Sequence, residues 1–81
     1  MTVEFAEKAK KEFLRLDKPI QKQIQTFILK LQGMTDPRTK GKALAGRWRY
    51  RVGDYRLVCE IEDNKILVTV LHIAHRKEVY K

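Results

Sequence analysis

The stretch Arg47–Ile73 reads RWRYRVGDYRLVCEIEDNKILVTVLHI, and its pattern decides the fold. Apolar and polar side chains alternate with a period of two, which indicates β-strands that are covered on one face. Gly53-Asp54 and Asp63-Asn64 interrupt this alternation as two-residue turns of the type that joins antiparallel strands. We therefore predict a meander of three strands, at residues 47–52, 55–62 and 65–73.

Two-residue turns also fix which residues face each other across the strands. The second turn is predicted to pair Tyr55 with His72, which assigns His72 to the core face as a structural residue. The same register assigns most apolar side chains of the three strands to that face, where helices can cover them, and assigns Val58, Leu67 and Leu71 to the opposite face. The predicted core face carries Trp48, Tyr50, Val52, Tyr55, Leu57, Cys59, Ile61, Ile66, Val68 and Val70.

The opposite face of the meander is predicted to be rich in arginine. The first turn pairs Arg51 directly with Arg56, and such a like-charge pair destabilises a sheet by up to about 1 kcal/mol. Arg49 and Arg47 share this face, and Glu60 supplies a carboxylate that pairs with Arg47. The arginines either extend into water at little cost or bind an anion, since guanidinium groups match the geometry of phosphate.

The first half of the chain changes to helical spacing after a short predicted strand at residues 2–5. Pro19 suits the first turn of a second helix, and Gly33 suits its end. Residues 34–46 are predicted to be a loop, with residues 43–45 packed down. The two apolar stripes, which indicate a helical hairpin, are Ala6, Ala9, Phe13 and Leu16, and then Ile20, Ile24, Phe27, Ile28 and Leu31.

These elements predict a single α+β domain over residues 1–81. Its architecture is a small antiparallel sheet in the order β-α-α-β-β-β, with the helical hairpin packed on one face. The single cysteine, Cys59, excludes an internal disulfide. No apolar run approaches the roughly 20 residues of a membrane helix, and no signal peptide pattern is present, so we expect a reduced, cytoplasmic protein without a membrane contact.

The charge balance indicates either an anionic partner or a basic surface that is simply solvated. Eighteen lysines and arginines against ten acidic residues give a net charge of +8. Such a field attracts nucleic acid, an anionic membrane surface or an acidic protein. The two histidines lie three residues apart, and no cysteine or carboxylate cluster joins them, so we expect no metal and no cofactor.

Two segments carry a resemblance to a known family: GDYRLV at residues 53–58 and HIAHRKEVY at residues 72–80. With the order of elements, they resemble the RelE/ParE superfamily of bacterial toxins over nearly the whole chain. The resemblance implies the toxin of a toxin–antitoxin pair, neutralised by a cognate acidic antitoxin. The RelE branch enters the 30S A site of the ribosome and cuts mRNA there without a metal. The 2′-OH attacks the adjacent phosphate and leaves a 2′,3′-cyclic phosphate.

The resemblance also implies roles for individual residues. Arg56 matches the arginine that stabilises the phosphorane in the RelE branch, and Arg76 matches the second arginine of that site. Tyr80 matches the tyrosine that stacks on a base and assists the attacking hydroxyl. These three residues favour an endoribonuclease over two alternatives. One alternative is a ParE-type inhibitor of DNA gyrase without nuclease activity, and the other is a simple RNA- or DNA-binding module.

The general base is the role that the resemblance leaves open. Arg49 and Arg51 match strand positions that are lysines in the best-known members, and an arginine is effectively always protonated. His75 is the nearest group whose ordinary pKa of about 6.5 suits a base, although a surface histidine is the alternative. The residues expected to bind phosphate or RNA are Arg47, Arg49, Arg51 and Lys77.

Overall fold

The structure is a computed structural model that describes residues 1–75. Within these residues the strands form one sheet in the order β1-β5-β4-β3-β2. The sheet is mixed, because β1 pairs in parallel with β5 whereas the other pairs are antiparallel. The predicted α+β class is confirmed, whereas the prediction of an antiparallel sheet is wrong for β1. The elements are β1 (Thr2–Phe5), α1 (Glu7–Leu14), α2 (Lys18–Gln32), β2 (Lys42–Leu44), β3 (Arg47–Val52), β4 (Tyr55–Glu62) and β5 (Leu67–His75), with 3-10 turns at Pro37–Thr39 and Asp63–Lys65.

Both predicted helices pack on the sheet through the apolar stripes seen in the sequence. Pro19 lies in the first turn of α2, where its missing N–H costs no hydrogen bond. Gly33 ends α2, and its N–H donates to the carbonyl of Leu29. The buried apolar residues of helices and strands form one core: Ala9, Ile24, Leu31, Tyr50, Val52, Leu57, Cys59, Val68, Val70 and Ile73.

The register of the β3–β4 hairpin is as predicted. Arg51 faces Arg56, and Val52 faces Tyr55 across the turn. Gly53 takes a φ of 57°, a left-handed conformation that a glycine adopts without a steric penalty. The tight turn leaves the pairing no freedom to slip, so alternate side chains of β3 and β4 reach opposite faces of the sheet.

The predicted two-residue turn between β4 and β5 is wrong. Asp63–Lys65 form a 3-10 turn, and Ile66 follows with φ 51° and ψ 48°. Ile66 is 65% exposed there, so its predicted place on the core face is also wrong. The longer connection moves the register by two residues, and Cys59 pairs with Val70 instead of Val68. A shift of two keeps side chains on their predicted face.

A β-bulge then shifts the register again, at Val58 and Cys59. Leu71 is the extra residue between two pairs of the ladder: Cys59 faces Val70, and Val58 faces His72. An odd shift exchanges the faces of all residues beyond it. His72 therefore lies opposite Val58 rather than Tyr55, and its predicted place on the core face is wrong.

A fifth strand lies in the segment predicted as a loop. In β2, Lys42 pairs with Arg49 and Leu44 pairs with Arg47. All three residues of β2 are exposed, so the prediction that Ala43 packs down is wrong. The sequence shows no alternation here because neither face of this edge strand is covered, and periodicity arises only from one-sided burial.

The buried thiol and phenol predict a loss of stability at high pH. Burial raises the pKa of Cys59 from 9.0 to about 12 and that of Tyr50 from 10.0 to about 12. Above pH 9 the unfolded chain releases protons that the folded chain retains, so the free energy of unfolding should fall as the pH approaches 12. Cys59→Ala and Tyr50→Phe should each weaken this dependence in urea denaturation. Equal slopes in the parent and both variants would contradict it.

Candidate phosphate-binding site

The two facing arginines of the hairpin differ in their exposure. Arg56 is only 6% exposed, whereas Arg51 is exposed. Arg51 donates from Nε to the carbonyl of Gly53 at a long 3.4 Å. A guanidinium that is held away from bulk water acts on a nearby anion through a lower effective dielectric constant. The burial of Arg56 therefore gives it more influence on a bound phosphate than an arginine extended into water would have.

A cavity of about 550 Å³ opens beside this pair, where the chain leaves the pairing of β2 with β3. Five cationic side chains line it, and none of its described lining residues is acidic. The cluster matches the predicted anion site in Arg49, Arg51 and Arg56. We call this cavity the basic cleft; its lining is Phe27, Lys40, Gly41, Lys42, Arg49, Tyr50, Arg51 and Arg56.

Lys40 and Lys42 are the members of the basic cleft that the sequence prediction missed. Their segment is fixed against β3 by side chains of the strand. Trp48 donates from Nε1 to the carbonyl of Lys40 at 2.7 Å, and the Tyr50 hydroxyl donates to the carbonyl of Pro37 at 2.6 Å. These bonds hold the backbone that carries both lysines at the rim of the cleft. The sequence signal was Lys-Gly-Lys, which the loop prediction did not use.

A bidentate ion pair fastens the same segment to the β4–β5 connection. Arg38 contacts Asp63 with Nη1 at 2.7 Å and Nη2 at 3.2 Å. The hydrogen bond from Arg38 holds the pKa of the Asp63 carboxyl below its usual value. The Arg38 guanidinium also lies 6.0 Å from the Trp48 ring centroid. Arg38 is thus engaged in structure, while the neighbouring lysines line the cleft.

Gly41 allows the close approach of this segment to β3. Its φ is +83°, and an added Cβ would lie 2.5 Å from the carbonyl oxygen of Arg49 and 2.6 Å from Nε1 of Trp48. No side chain fits at such distances without a movement of the backbone. The glycine is therefore a steric requirement for the cleft wall.

The other predicted site residues are not all brought together. Arg47 lines a separate cavity with Glu60, and its Nη1 lies 3.7 Å from the Glu60 carboxylate, as predicted. His75 faces Tyr55, and their rings meet edge to face at 5.0 Å. Strand alternation puts this pair on the face opposite Arg56. Arg76, Lys77 and Tyr80 lie outside the described residues, and their roles stay predictions.

The described residues contain neither a cluster of metal-ligating side chains nor a helix able to span a membrane. No group of three or more histidine, cysteine, aspartate or glutamate side chains within residues 1–75 is arranged to hold a metal ion. None of the helices in that range combines the length and apolar character needed to cross a membrane.

The comparisons with known proteins identify the family. A profile of the ParE toxin of type II toxin–antitoxin systems, parDE, matches residues 3–80. A chain of the toxin–antitoxin complex RelBE2 from Mycobacterium tuberculosis is 31% identical over 93% of this chain and 90% of that chain, with a TM-score of 0.82. No match was found among curated proteins.

Two archaeal structures share the fold. The RelB–RelE complex from Methanococcus jannaschii has a chain that is 25% identical, over 94% of this chain and 93% of that one, with a TM-score of 0.74. The RelE–RelB complex from Pyrococcus horikoshii has a chain that is 21% identical, over 93% of each, with a TM-score of 0.75. The chain belongs to the RelE/ParE superfamily of toxins. The M. tuberculosis and M. jannaschii neighbours come from RelBE-type complexes, which supports the RelE branch.

Gly41 and Gly46 form a matched pair for testing the cleft wall. Both have a φ near +80°, but nothing lies within 4 Å of a Cβ added at Gly46. Gly46→Ala should cost about 1–2 kcal/mol from the left-handed backbone alone. Gly41→Ala should cost more, because its methyl group also collides with β3. Urea denaturation of both variants measures the difference, and equal losses would contradict the close approach.

Lys40 and Lys42 should contribute to polyanion affinity through phosphate contacts. Replacing both by glutamine should weaken binding of a single-stranded RNA oligonucleotide. It should also reduce the slope of log affinity against log salt by about 1.4, or about 0.7 for each lost contact. The control is Lys22→Gln with Lys30→Gln, which removes the same charge from exposed positions of α2 outside the cleft. Equal effects of the two double variants would mean that only net charge matters.

Proposed function

We propose that this toxin is a ribosome-dependent, metal-independent mRNA endoribonuclease that cuts in the 30S A site and blocks translation. The observation that carries the proposal is the basic cleft, where five cations surround one cavity and Arg56 is nearly buried. Guanidinium forks bind phosphate oxygens in pairs, and several cations in one cleft suit an RNA backbone.

The chemistry requires charge compensation more than it requires a reactive cofactor. Attack of the 2′-OH on the phosphate builds a five-coordinate phosphorane with extra negative charge. Fixed donors that are already oriented stabilise such charge without reorganising. We assign this role to Arg56 and, from the resemblance, to Arg76. Arg49 and Arg51 would hold the flanking phosphates, and Tyr80 would stack on a base.

The proposed partner outside the ribosome is an acidic antitoxin. The net charge of +8 favours an acidic segment laid along the toxin. The M. tuberculosis and M. jannaschii relatives were solved as toxin–antitoxin complexes, which supports a partner of this kind. Neutralising the cations of the basic cleft, or covering them, would keep the toxin away from mRNA.

A second candidate function is inhibition of DNA gyrase. The observation that favours it is the match to the ParE profile. A gyrase inhibitor keeps the fold and the charge but needs no transition-state stabilisation. The two candidates therefore differ in whether Arg56 affects a rate of RNA cleavage.

Primer extension on mRNA in a translation extract distinguishes them. The parent should produce new 3′ ends at A-site codons, and Arg56→Ala should lower the cleavage rate by roughly 10²–10³ with little change in binding. Arg56→Lys keeps the charge but loses the fork, and it guards against misfolding of the alanine variant. The control is Arg15→Gln, which removes an arginine on the helical side, away from the predicted contacts.

Two results would contradict this proposal. Full cleavage by both Arg56 variants would remove the proposed role of this residue. Intact mRNA together with inhibition of gyrase supercoiling by the parent would establish the second candidate instead of the first.

A further inference from the structure

Glu12 and His72 form a carboxylate–imidazole pair that the proposed mechanism has not used. Glu12 Oε2 lies 2.7 Å from Nδ1 of His72, and Glu12 Oε1 accepts the N–H of Ile73 at 2.8 Å. The side chains of His72 and Glu12 are 34% and 22% exposed. One carboxylate thus holds both an imidazole and the strand that carries it.

The position of Glu12 follows from the end of β1. Phe5 pairs with Val70, and the N–H of Ala6 donates to the carbonyl of Val70 at 2.8 Å. Helix α1 begins at the next residue and packs against β5 where β1 no longer pairs with it. A strand edge exposes N–H groups that need acceptors, and Glu12 supplies one to Ile73. The carboxylate is therefore fixed at this edge by the backbone.

The β-bulge places His72 on the face of the sheet that carries Arg49, Arg51 and Arg56, which we call the arginine face. His72 faces Val58, and Val58 faces Arg49 on its other side. Arg56 faces Ala74, so Arg56 and His72 are diagonal neighbours across two strands. Such neighbours have backbones about 7–8 Å apart, within reach of long side chains. A phosphate bound by Arg56 can therefore approach the imidazole.

The contact with Glu12 determines which nitrogen can act. Oε2 lies 2.7 Å from Nδ1 but out of line with a ring N–H, so no hydrogen bond is formed between them. Because a carboxylate only accepts hydrogen bonds, its charge at this distance still favours the neutral tautomer that carries the proton on Nδ1. The lone pair is then on Nε2. A base held in one tautomer by a third group is the arrangement that activates hydroxyl nucleophiles in many enzymes.

We propose that His72 is the general base of the RNA cleavage and that Glu12 is the residue that positions it; this inference rests on the proposed function. The 2′-OH proton moves to Nε2 while the bond from O2′ to phosphorus forms and the bond from phosphorus to O5′ breaks. The leaving oxygen takes a proton from water, and the imidazolium returns its proton to the resulting hydroxide. This assignment replaces the lysine chemistry that Arg49 and Arg51 cannot perform.

The charged groups around His72 are consistent with this role. Helix α1 contributes Glu12, and β4 contributes Arg56 diagonally. From β1, Glu4 pairs with Thr69, which lies on the same face of the sheet as His72 and three residues before it. His75, the candidate from the sequence, faces Tyr55 on the other side of the sheet.

Single-turnover cleavage on programmed ribosomes from about pH 5.5 to about pH 9 tests the proposal, a range that brackets the ordinary titration of imidazole. The cleavage rate of the parent should rise with pH, which gives a rising limb in its pH–rate profile. In His72→Gln this limb should be absent and the cleavage rate should be about 10²–10⁴-fold lower, while ribosome binding is retained. Glu12→Gln keeps an oxygen for the N–H of Ile73 but presents an amide donor to Nδ1. It should lower the rate by about 10–100-fold. Glu7→Gln, at an exposed position of α1, is the matched control.

A measurement without RNA accompanies the kinetics. The ¹⁵N spectrum of the imidazole should show the Nδ1–H tautomer in the parent and the Nε2–H tautomer in Glu12→Gln. An Nε2–H tautomer in the parent would overturn the proposal even if His72→Gln failed to fold. Parental rates in His72→Gln, or loss of the pH limb in His75→Gln alone, would also overturn it and leave the proposed function standing. Absence of cleavage by the parent would instead overturn the proposed function.

Discussion

The two-residue turn at Gly53-Asp54 is the constraint on which the rest of the site depends. It fixes Arg51 opposite Arg56 and allows no slip, because a shift of one residue would turn the core side chains toward water. Tyr50 and Leu57 of the same strands are fully buried. The packing of the core thus holds like charges together on the other face.

The two sides of the sheet contribute different parts of the proposed chemistry. At the β2 side, the strand is short and the chain before it is fixed to Trp48 and Tyr50, which places two lysines beside the arginines. At the β1 side, α1 covers the edge of β5, and Glu12 binds both backbone and imidazole. Both devices use hydrogen bonds between distant parts of the chain. These hydrogen bonds position charged groups on the arginine face, which the hydrophobic core on the other side of the sheet does not order.

Much of the fold could be predicted from the sequence, because one-sided burial leaves a period in it. The apolar stripe of α2 predicts that helix. The alternation in β3 and β4, with the turn between them, predicts both strands and the Arg51–Arg56 pair. The bulge at Leu71 left no such trace, since Leu71 is one more apolar residue in an apolar strand. That bulge exchanges the faces of His72 and its neighbours, so the roles of both histidines depended on it. Lys40 and Lys42 were missed because β2 is exposed and has no period.

The most direct test of the central claim is to observe the arginine side chains while RNA binds. Guanidinium ¹⁵N resonances can be followed as an RNA oligonucleotide is added, with a 2′-O-methyl group at the scissile position to prevent cleavage. If the basic cleft binds RNA, the resonances of Arg49, Arg51 and Arg56 should shift together with one dissociation constant, while those of Arg15 and Arg38 stay in place. Saturable shifts at Arg15 or Arg38 with unchanged signals from the three arginines of the basic cleft would contradict it.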